Sequence, residues 1–220
     1  MSVNFDEMTL EDVRGHVAAM LPADAAFDGW TAIALDSTAA RLGLDADVAR
    51  LAFPEGAGQM IAAWFAHIDA QMLAALPPET LAAMKIRDRI TALVEARLAE
   101  LAPHREALRR AQTWLANPLH AKQAAQLGWR AADAMWRAAG DQSVDYNHYT
   151  KRAILGSVYT ATLLVFVNDD SEDWAETRAF LARRIENVMQ FEKAKARWTS
   201  SPTRHFSMAR FLGRLRYPAR

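Results

Sequence analysis

The chain has 220 residues with 26 basic and 26 acidic side chains, so its formal net charge is zero. This length fits one domain with a short appendage, and an apolar content of 51% supplies a sizeable core. The absence of cysteine excludes disulfide scaffolds, Cys-ligated zinc and thiol nucleophiles. The longest apolar run, 153–167, is shorter than the roughly 20 residues of a membrane-spanning helix, and it predicts a buried helix.

The spacing of apolar residues is helical almost throughout and predicts an all-α bundle of about nine helices plus a C-terminal amphipathic helix. Thr9 and Asp12 form a capping-box pattern for the first helix, which Leu21-Pro22 is expected to end, and Asp28 is expected to cap the second. The predicted helices cover residues 9–20, 28–41, 45–51, 58–76, 78–101, 103–116, 117–139, 147–167 and 171–197.

The basic charge is concentrated at the C-terminal end. Eight of the 26 basic residues and none of the 26 acidic ones lie from Lys193 onward, so residues 1–192 carry a net charge of −8. We therefore expect a helical domain over 1–199, followed by a hinge and a basic tail over 200–220.

The tail has the spacing of an interfacial amphipathic helix, with apolar residues on one face and arginines on another. The sequence predicts reversible contact with an anionic membrane surface; the alternatives are a disordered basic end or a helix packed on the acidic body. The predicted membrane-binding residues are Met208, Arg210, Phe211, Leu212, Arg214 and Leu215.

The sequence contains no recognisable catalytic motif or cofactor-binding fingerprint. A di-iron bundle needs Glu-x-x-His on two helices. The nearest pattern here is a single Asp145/His148 pair, since Pro103 lies between Glu100 and His104, which are four residues apart. We predict a non-enzymatic protein with no catalytic residues, no metal and no cofactor.

Several segments, in order, resemble the Coq-nine family, the lipid-binding accessory proteins of ubiquinone biosynthesis. The resemblance covers roughly Phe27 to Lys195 and is strongest over 131–189. It is carried by Phe27-Asp-Gly-Trp30, Ile86-Arg-Asp-Arg-Ile90, Ala139-Gly-Asp141, Tyr149-Thr-Lys-Arg-Ala153 and Arg183-Arg-Ile-Glu-Asn-Val-Met189. It implies a TetR-like fold and a protein that presents an isoprenoid quinone precursor, or another lipid, to a di-iron ubiquinone-biosynthesis hydroxylase.

The same resemblance implies two groups of binding residues. Asp145 and Tyr149 match family positions that contact the hydroxylase, and His148 stands beside them where the family usually has Trp; we assign all three to partner binding. We assign a lipid-binding cavity to four further residues, with a filled core as the alternative that the sequence leaves open. These residues are Trp64, Trp136, Tyr159 and Leu163.

A ligand-responsive DNA regulator of the same fold is the first competing function, because residues 1–54 resemble a helix-turn-helix subdomain. DNA phosphates require several cations, and between Asp24 and Met84 the chain has only Arg41 and Arg50 against eight acids. We therefore predict no nucleic-acid binding. The second competitor is an uncharacterised enzyme acting on lipid-like substrates.

Two expectations concern assembly and location. The eighth and ninth predicted helices are long and apolar enough for a four-helix interface, so we expect a homodimer. The acidic N-terminus lacks the basic region of a signal or transit peptide. We therefore expect a bacterial cytoplasmic protein, peripheral at the inner face of the cytoplasmic membrane.

Overall fold

The computed structural model describes residues 7–142 and 146–199, and it is all-α over these residues, with no strand. This confirms the predicted fold class. Three short 3-10 helices, Ala102–His104, Pro118–His120 and Glu172–Trp174, connect the longer elements. The α-helices are α1 Leu10–Asp28, α2 Ala32–Leu42, α3 Ala46–Ala52, α4 Ala57–Ala75, α5 Pro78–Ala82, α6 Ile86–Leu101, α7 Arg105–Leu115, α8 Ala121–Ala138, α9 Tyr146–Phe166 and α10 Ala175–Thr199.

The first helix starts where the sequence predicts and ends later. The Thr9 hydroxyl accepts from the Asp12 amide at 3.2 Å and the Asp12 carboxylate accepts from the Thr9 amide at 3.0 Å, so the capping box is confirmed. The predicted end at Leu21-Pro22 is wrong, because α1 continues to Asp28. Leu21, Pro22 and Ala25 are all buried. The stabilisation from this packing outweighs the loss of the backbone hydrogen bond that a proline cannot donate.

Two further predicted bounds differ from the structure. Asp28 is the last residue of α1, and the cap of α2 is Thr31, whose hydroxyl accepts from the Ala34 amide at 3.4 Å. The predicted fifth helix is divided into α5 and α6. Arg89 stabilises the break, since its guanidinium donates to the carbonyls of Ala82 at 3.2 Å and Met84 at 2.9 Å at the end of α5.

The core lies around α1, which packs against α2, α3, α4 and α7. The Trp30 and Trp64 rings join this core with their centroids 5.1 Å apart. The Trp30 indole also donates to the Ala107 carbonyl at 3.1 Å, which ties the N-terminal helices to α7. Because these contacts join residues far apart in sequence, the N-terminal helices and α7 belong to one packed body.

Helices α8 and α9 pack closely because two glycines face each other. A β-carbon at Gly156 of α9 would lie 3.4 Å from the Gly128 carbonyl oxygen of α8. A side chain larger than alanine at Gly156 would press on this backbone and separate the helices. This close approach brings the aromatic residues of α8 beside the first turns of α9.

The chain divides after Ala182 into two compact units. At the end of the first, buried Asp169 accepts hydrogen bonds from the amides of Ser171 at 2.9 Å and Thr177 at 2.8 Å. Burial alone would raise the pKa of Asp169, but its hydrogen bonds from Ser171 and Thr177 hold the pKa far below its usual range. The described part of the second unit, 183–199, is helical. None of the helices described is both long enough and apolar enough to cross a membrane.

Candidate interaction site at the junction of α8 and α9

Three aromatic rings form a cluster where α8 passes the first turns of α9. The Trp129 ring centroid lies 6.0 Å from that of Tyr149 and 6.4 Å from that of His148. The His148 and Tyr149 rings meet edge to face at 5.2 Å. Tyr149 is 62% exposed, so this aromatic cluster presents a flat ring to solvent from a well-packed base.

A buried charge network supports the aromatic cluster. Arg152, only 2% exposed, donates from Nε to Asp133 Oδ1 at 2.6 Å and from Nη1 to Asp141 Oδ2 at 3.1 Å. Its Nη1 also lies 3.1 Å from the His148 carbonyl oxygen. Lys151 Nζ donates to the other oxygen of Asp141 at 2.7 Å. The two acids and two bases neutralise one another, which is the condition for burying such charges.

The Asp133 carboxylate of this network is held in its charged form. Partial burial alone would raise the pKa of Asp133, but the hydrogen bond from Arg152 and the charges of Arg137 and Arg152 lower it overall. Asp133 therefore remains ionised, and keeps its hydrogen bond from Arg152, at neutral pH.

Three further interactions join α8 to α9 and to α6. The Trp136 indole donates to the Lys151 carbonyl at 3.0 Å, and the Lys151 ammonium lies 5.4 Å from the Trp136 ring centroid. From α6, Arg89 Nη1 donates to the Ala139 carbonyl at 2.9 Å. Gly140 has φ of 89°, a left-handed conformation that glycine adopts without strain, and the chain turns there.

An open groove of about 1010 Å³ adjoins the aromatic cluster along the N-terminal half of α8. Trp129 belongs to both features. The α8 groove is lined by Glu55 and Ala62 on one side and by Leu119, His120, Lys122, Gln123, Ala125, Gln126, Leu127, Trp129 and Arg130 on the other.

The structure brings two of the predicted partner-binding residues together, since His148 and Tyr149 belong to the aromatic cluster. Asp145 lies outside the described residues. Four residues of the site were not predicted from the sequence: Trp129, Asp133, Asp141 and Arg152. An Asp and an Arg 19 residues apart give no local signal, because only the α8–α9 pairing brings them within 2.6 Å.

The predicted lipid-binding residues occupy different surroundings. Trp64 is 2% exposed and lies against Trp30 and Phe65. Tyr159 is buried and accepts a hydrogen bond from Arg97 Nε at 2.9 Å, and Leu163 is buried as well. Half-buried Trp136 supports the charge network. Neither the α8 groove nor the two smaller grooves beside it are lined by any of the four, so their assignment stays a prediction.

The predicted membrane-binding residues lie outside the described part of the chain: Met208, Arg210, Phe211, Leu212, Arg214 and Leu215. Among the residues that are described, no three His, Asp or Glu side chains are grouped closely enough to hold a metal ion.

Comparisons with known proteins match this region and this fold. Residues 121–192, which include α8 and α9, match the family model COQ9. Ubiquinone biosynthesis protein COQ9, mitochondrial, from Bos taurus is 34% identical over 168 residues, covering 73% of this chain and 52% of that protein. The Homo sapiens protein of the same name is 32% identical with the same coverage. The chain thus spans about half the length of these curated relatives.

A solved structure shows the same architecture. A TetR transcriptional regulator from Nitrosomonas europaea superposes with a TM-score of 0.66 at 25% identity, covering 81% of this chain and 99% of that one. The fold and the α8–α9 site therefore define an all-α protein of TetR-like architecture. Together with the matches to its relatives, they assign it to a family: the chain belongs to the COQ9 family.

The predicted location is wrong. The curated relatives from Bos taurus, Homo sapiens and Drosophila melanogaster are named mitochondrial, which points to a mitochondrial protein and not to a bacterial one at the cytoplasmic membrane. The prediction rested on the acidic first residues. Those residues carry no information about targeting, because the chain spans only about half of these relatives.

Proposed function

We propose that this chain is a non-enzymatic protein of ubiquinone biosynthesis that binds isoprenoid quinone precursors and presents them to the di-iron demethoxyubiquinone hydroxylase. The observation that carries the proposal is the COQ9 match over 121–192, because that stretch builds the aromatic cluster and the network beneath it. The relatives matched over the wider region are named ubiquinone biosynthesis proteins.

The hydroxylase docks on the aromatic cluster in this proposal. Tyr149 is exposed, while the backbone around it is fixed by Arg152 and Trp136. An aromatic side chain on a rigid base loses little conformational entropy on binding, and exposed tyrosines of this kind often contribute strongly to interfaces. His148 adds a second, partly buried ring to the same surface.

Lipid binding rests on the resemblance of residues 131–189 to lipid-binding accessory proteins. Trp64, Tyr159 and Leu163 lie in a packed interior, so a lipid tail that reaches them has to separate side chains that now touch. Native mass spectrometry of the purified chain tests this step directly. A retained isoprenoid or acyl lipid supports it, and lipid-free protein after gentle extraction contradicts it.

The proposal also includes self-association and membrane contact. The outer face of α9 from Ala153 through Ser157 and Thr160 to Leu164 is exposed and uncharged, with Leu164 57% exposed. Such a face suits pairing with a second copy of this chain. A Leu164→Glu variant that sediments as a monomer, beside a dimeric parent protein, supports the pairing. Membrane contact is assigned to the basic tail.

The proposed function is tested by the quinone profile of cells that lack this gene. We expect loss of ubiquinone and accumulation of a demethoxy or earlier ring-unmodified precursor, measured by mass spectrometry of lipid extracts. Reintroducing the parent gene should restore the profile, and Tyr149→Ala should restore it less well at equal protein level. A normal profile under respiratory growth would contradict the assignment.

A DNA regulator is the second candidate, favoured by the superposition on a TetR transcriptional regulator. The charge distribution of the N-terminal helices argues against DNA binding. Arg41 is 2.7 Å from Asp24, and Arg50 is paired with Asp36 at 2.7 Å and Asp47 at 3.1 Å. Arginines already paired with acids contribute little to phosphate binding. A salt-dependent gel shift of the gene's own promoter DNA would favour this candidate; no shift would reject it.

A further inference from the structure

The α8 groove combines an apolar lining with unusual charge. Leu119 is 87% exposed at one end, Leu127 lies in the wall, and Trp129 stands at the other end beside Tyr149. Apolar surface that continues along an open groove marks an interaction site more often than scattered exposed apolar residues do.

Two cations in the α8 groove have no partner among the described residues. Lys122 and Arg130 make no hydrogen bond, ion pair or ring contact with any residue that the structure describes. They lie eight residues apart on α8, about 12 Å along the helix. Most other cations of the first unit are paired: Arg14, Arg41, Arg50, Arg97, Arg105, Arg109, Arg110, Arg137, Lys151 and Arg152 all have carboxylate partners.

The acids in the smaller grooves that Arg130 also lines are already paired with other arginines: Glu11 with Arg14, Asp69 with Arg97, and Asp133 with Arg137 and Arg152. Residues 107–132 contain no Asp or Glu, although residues 1–192 as a whole carry a net charge of −8. Within the α8 groove the single acid is Glu55, on the opposite wall. A local excess of positive charge on an acidic protein selects an acidic ligand and repels surfaces that resemble the rest of the molecule.

We propose that the α8 groove binds an acidic, amphipathic helix of the hydroxylase, so that the docking surface extends from Tyr149 over Trp129 to Leu119. This inference rests on the proposed function and names the partner chemistry for it. Apolar side chains of that helix pack on Leu119 and Trp129, and its carboxylates, two turns apart, pair with Lys122 and Arg130. The shared Trp129 makes the aromatic cluster and the α8 groove one continuous surface.

The length of the α8 groove suits a partner helix. The lining residues from Leu119 to Arg130 extend about 16 Å along the chain at 1.5 Å per residue, which accommodates roughly three turns of a partner helix. Arg130 also lines two smaller grooves of about 390 and 310 Å³ on the side of α4. The Arg130 side chain therefore lies on the solvent-accessible surface between α4 and α8, where the three grooves meet. A partner carboxylate can reach its guanidinium there without entering the core.

The test measures the affinity of the full-length chain for the purified hydroxylase of the same source. Lys122→Glu/Arg130→Glu should weaken binding at least tenfold, mainly by slowing association, and should reduce its dependence on salt. Lys85→Glu/Arg178→Glu is the matched control, since both residues are exposed and neither lines the α8 groove. That control should bind within twofold of the parent protein. Circular dichroism melts show whether each variant folds.

Carbodiimide cross-linking provides a second measurement that needs no variant. It joins a lysine amine to a carboxylate in direct contact with loss of water. We expect an amide between Lys122 and an Asp or Glu of the hydroxylase, found by mass spectrometry, and none at Lys85. A cross-link of Lys122 to Glu55 alone, with hydroxylase bound, would overturn the proposal.

The remaining outcomes separate this inference from the proposed function. If Tyr149→Ala weakens binding and the double charge reversal does not, the α8 groove inference is wrong and the proposed function stands. If the parent protein does not bind the hydroxylase, both are wrong. If the double reversal lowers flotation with anionic vesicles but leaves hydroxylase affinity unchanged, the α8 groove faces lipid and the inference is overturned.

Discussion

The Arg152 guanidinium lies 2.6 Å from the Asp133 carboxylate and is almost completely removed from water. This pair joins the second turn of α9 to the last third of α8, with Asp141 completing the neutralisation from the loop between them. The exposed ring of Tyr149 lies one turn before Arg152 on the same helix. The orientation of the proposed docking surface therefore depends on a buried ion network.

Removing Arg152 should destabilise the protein far more than removing an exposed arginine that shares its partner. Arg152→Met leaves Asp133 and Asp141 without their buried counter-charge, and we expect a loss of about 3–5 kcal/mol in the free energy of unfolding measured with urea. Arg137→Met is the control. Arg137 bonds the same Asp133 but is 73% exposed, so its loss should cost no more than about 1 kcal/mol.

A combined variant keeps this prediction testable if Arg152→Met does not fold. Adding Asp133→Asn and Asp141→Asn removes the uncompensated charges and should recover part of the lost stability. Equal losses for Arg152→Met and Arg137→Met would show that the network contributes little.

The hydroxyl of Tyr159 should matter for stability, whereas that of Tyr149 should not. Tyr159 accepts from buried Arg97, whose charge is also paired with Asp69. Tyr159→Phe leaves Arg97 Nε without this acceptor in the core, and we expect a loss of about 1–3 kcal/mol. Tyr149→Phe, at an exposed position, should change the free energy of unfolding by less than about 0.5 kcal/mol. Thermal and urea unfolding of both variants provide the comparison.

Stability should fall on mild acidification because of His104. Burial lowers the pKa of His104, whose ring lies edge-on to that of Trp64 at 6.4 Å. The unfolded chain, with an ordinary histidine pKa of about 6.5, therefore binds a proton at a pH where the folded protein does not. The free energy of unfolding should decrease as the pH falls below about 6.5. Well above pH 6.5, titration of His104 should make no contribution to the pH dependence of stability.

Urea unfolding of His104→Gln at several pH values between 5.5 and 7.5 tests this assignment. The variant should lose part of the acid sensitivity. His16→Gln, at an exposed position, should retain it. The same pH dependence in the parent protein and His104→Gln would show that another group is responsible.

Removing Met208 to Arg220 should abolish flotation with anionic vesicles and leave the helical circular dichroism of residues 10–199 unchanged. The deleted segment contains four apolar residues at helical spacing, each contributing roughly 1.5–3 kcal/mol when fully buried and less when half-inserted. Its arginines each add about 1 kcal/mol at an anionic surface. Unchanged flotation of the truncated chain would reject the tail as the membrane-binding element.

Local signals in the sequence predicted the elements of the fold well. The all-α class, the capping box at Thr9 and the apolar α9 all follow from periodicity and end residues. The partial failures have non-local causes. Pro22 stays helical because its neighbours are buried by other helices. The break before α6 depends on the hydrogen bonds from Arg89 to the carbonyls of Ala82 and Met84.

The sequence by itself determined the class of fold and the segment that carries the family motif, because helical periodicity and short motifs are local properties of a chain. Only the tertiary structure decided that Asp133 and Arg152 form one buried network, and that Trp129 lies against Tyr149. It also decided that Lys122 and Arg130 stay unpaired among the described residues, beside an open groove. The first two relationships depend on the close packing of α8 on α9 at Gly128 and Gly156, and the third depends on the packing of α8 beside α4. Side chains far apart in sequence interact only once such packing sets the distances between them.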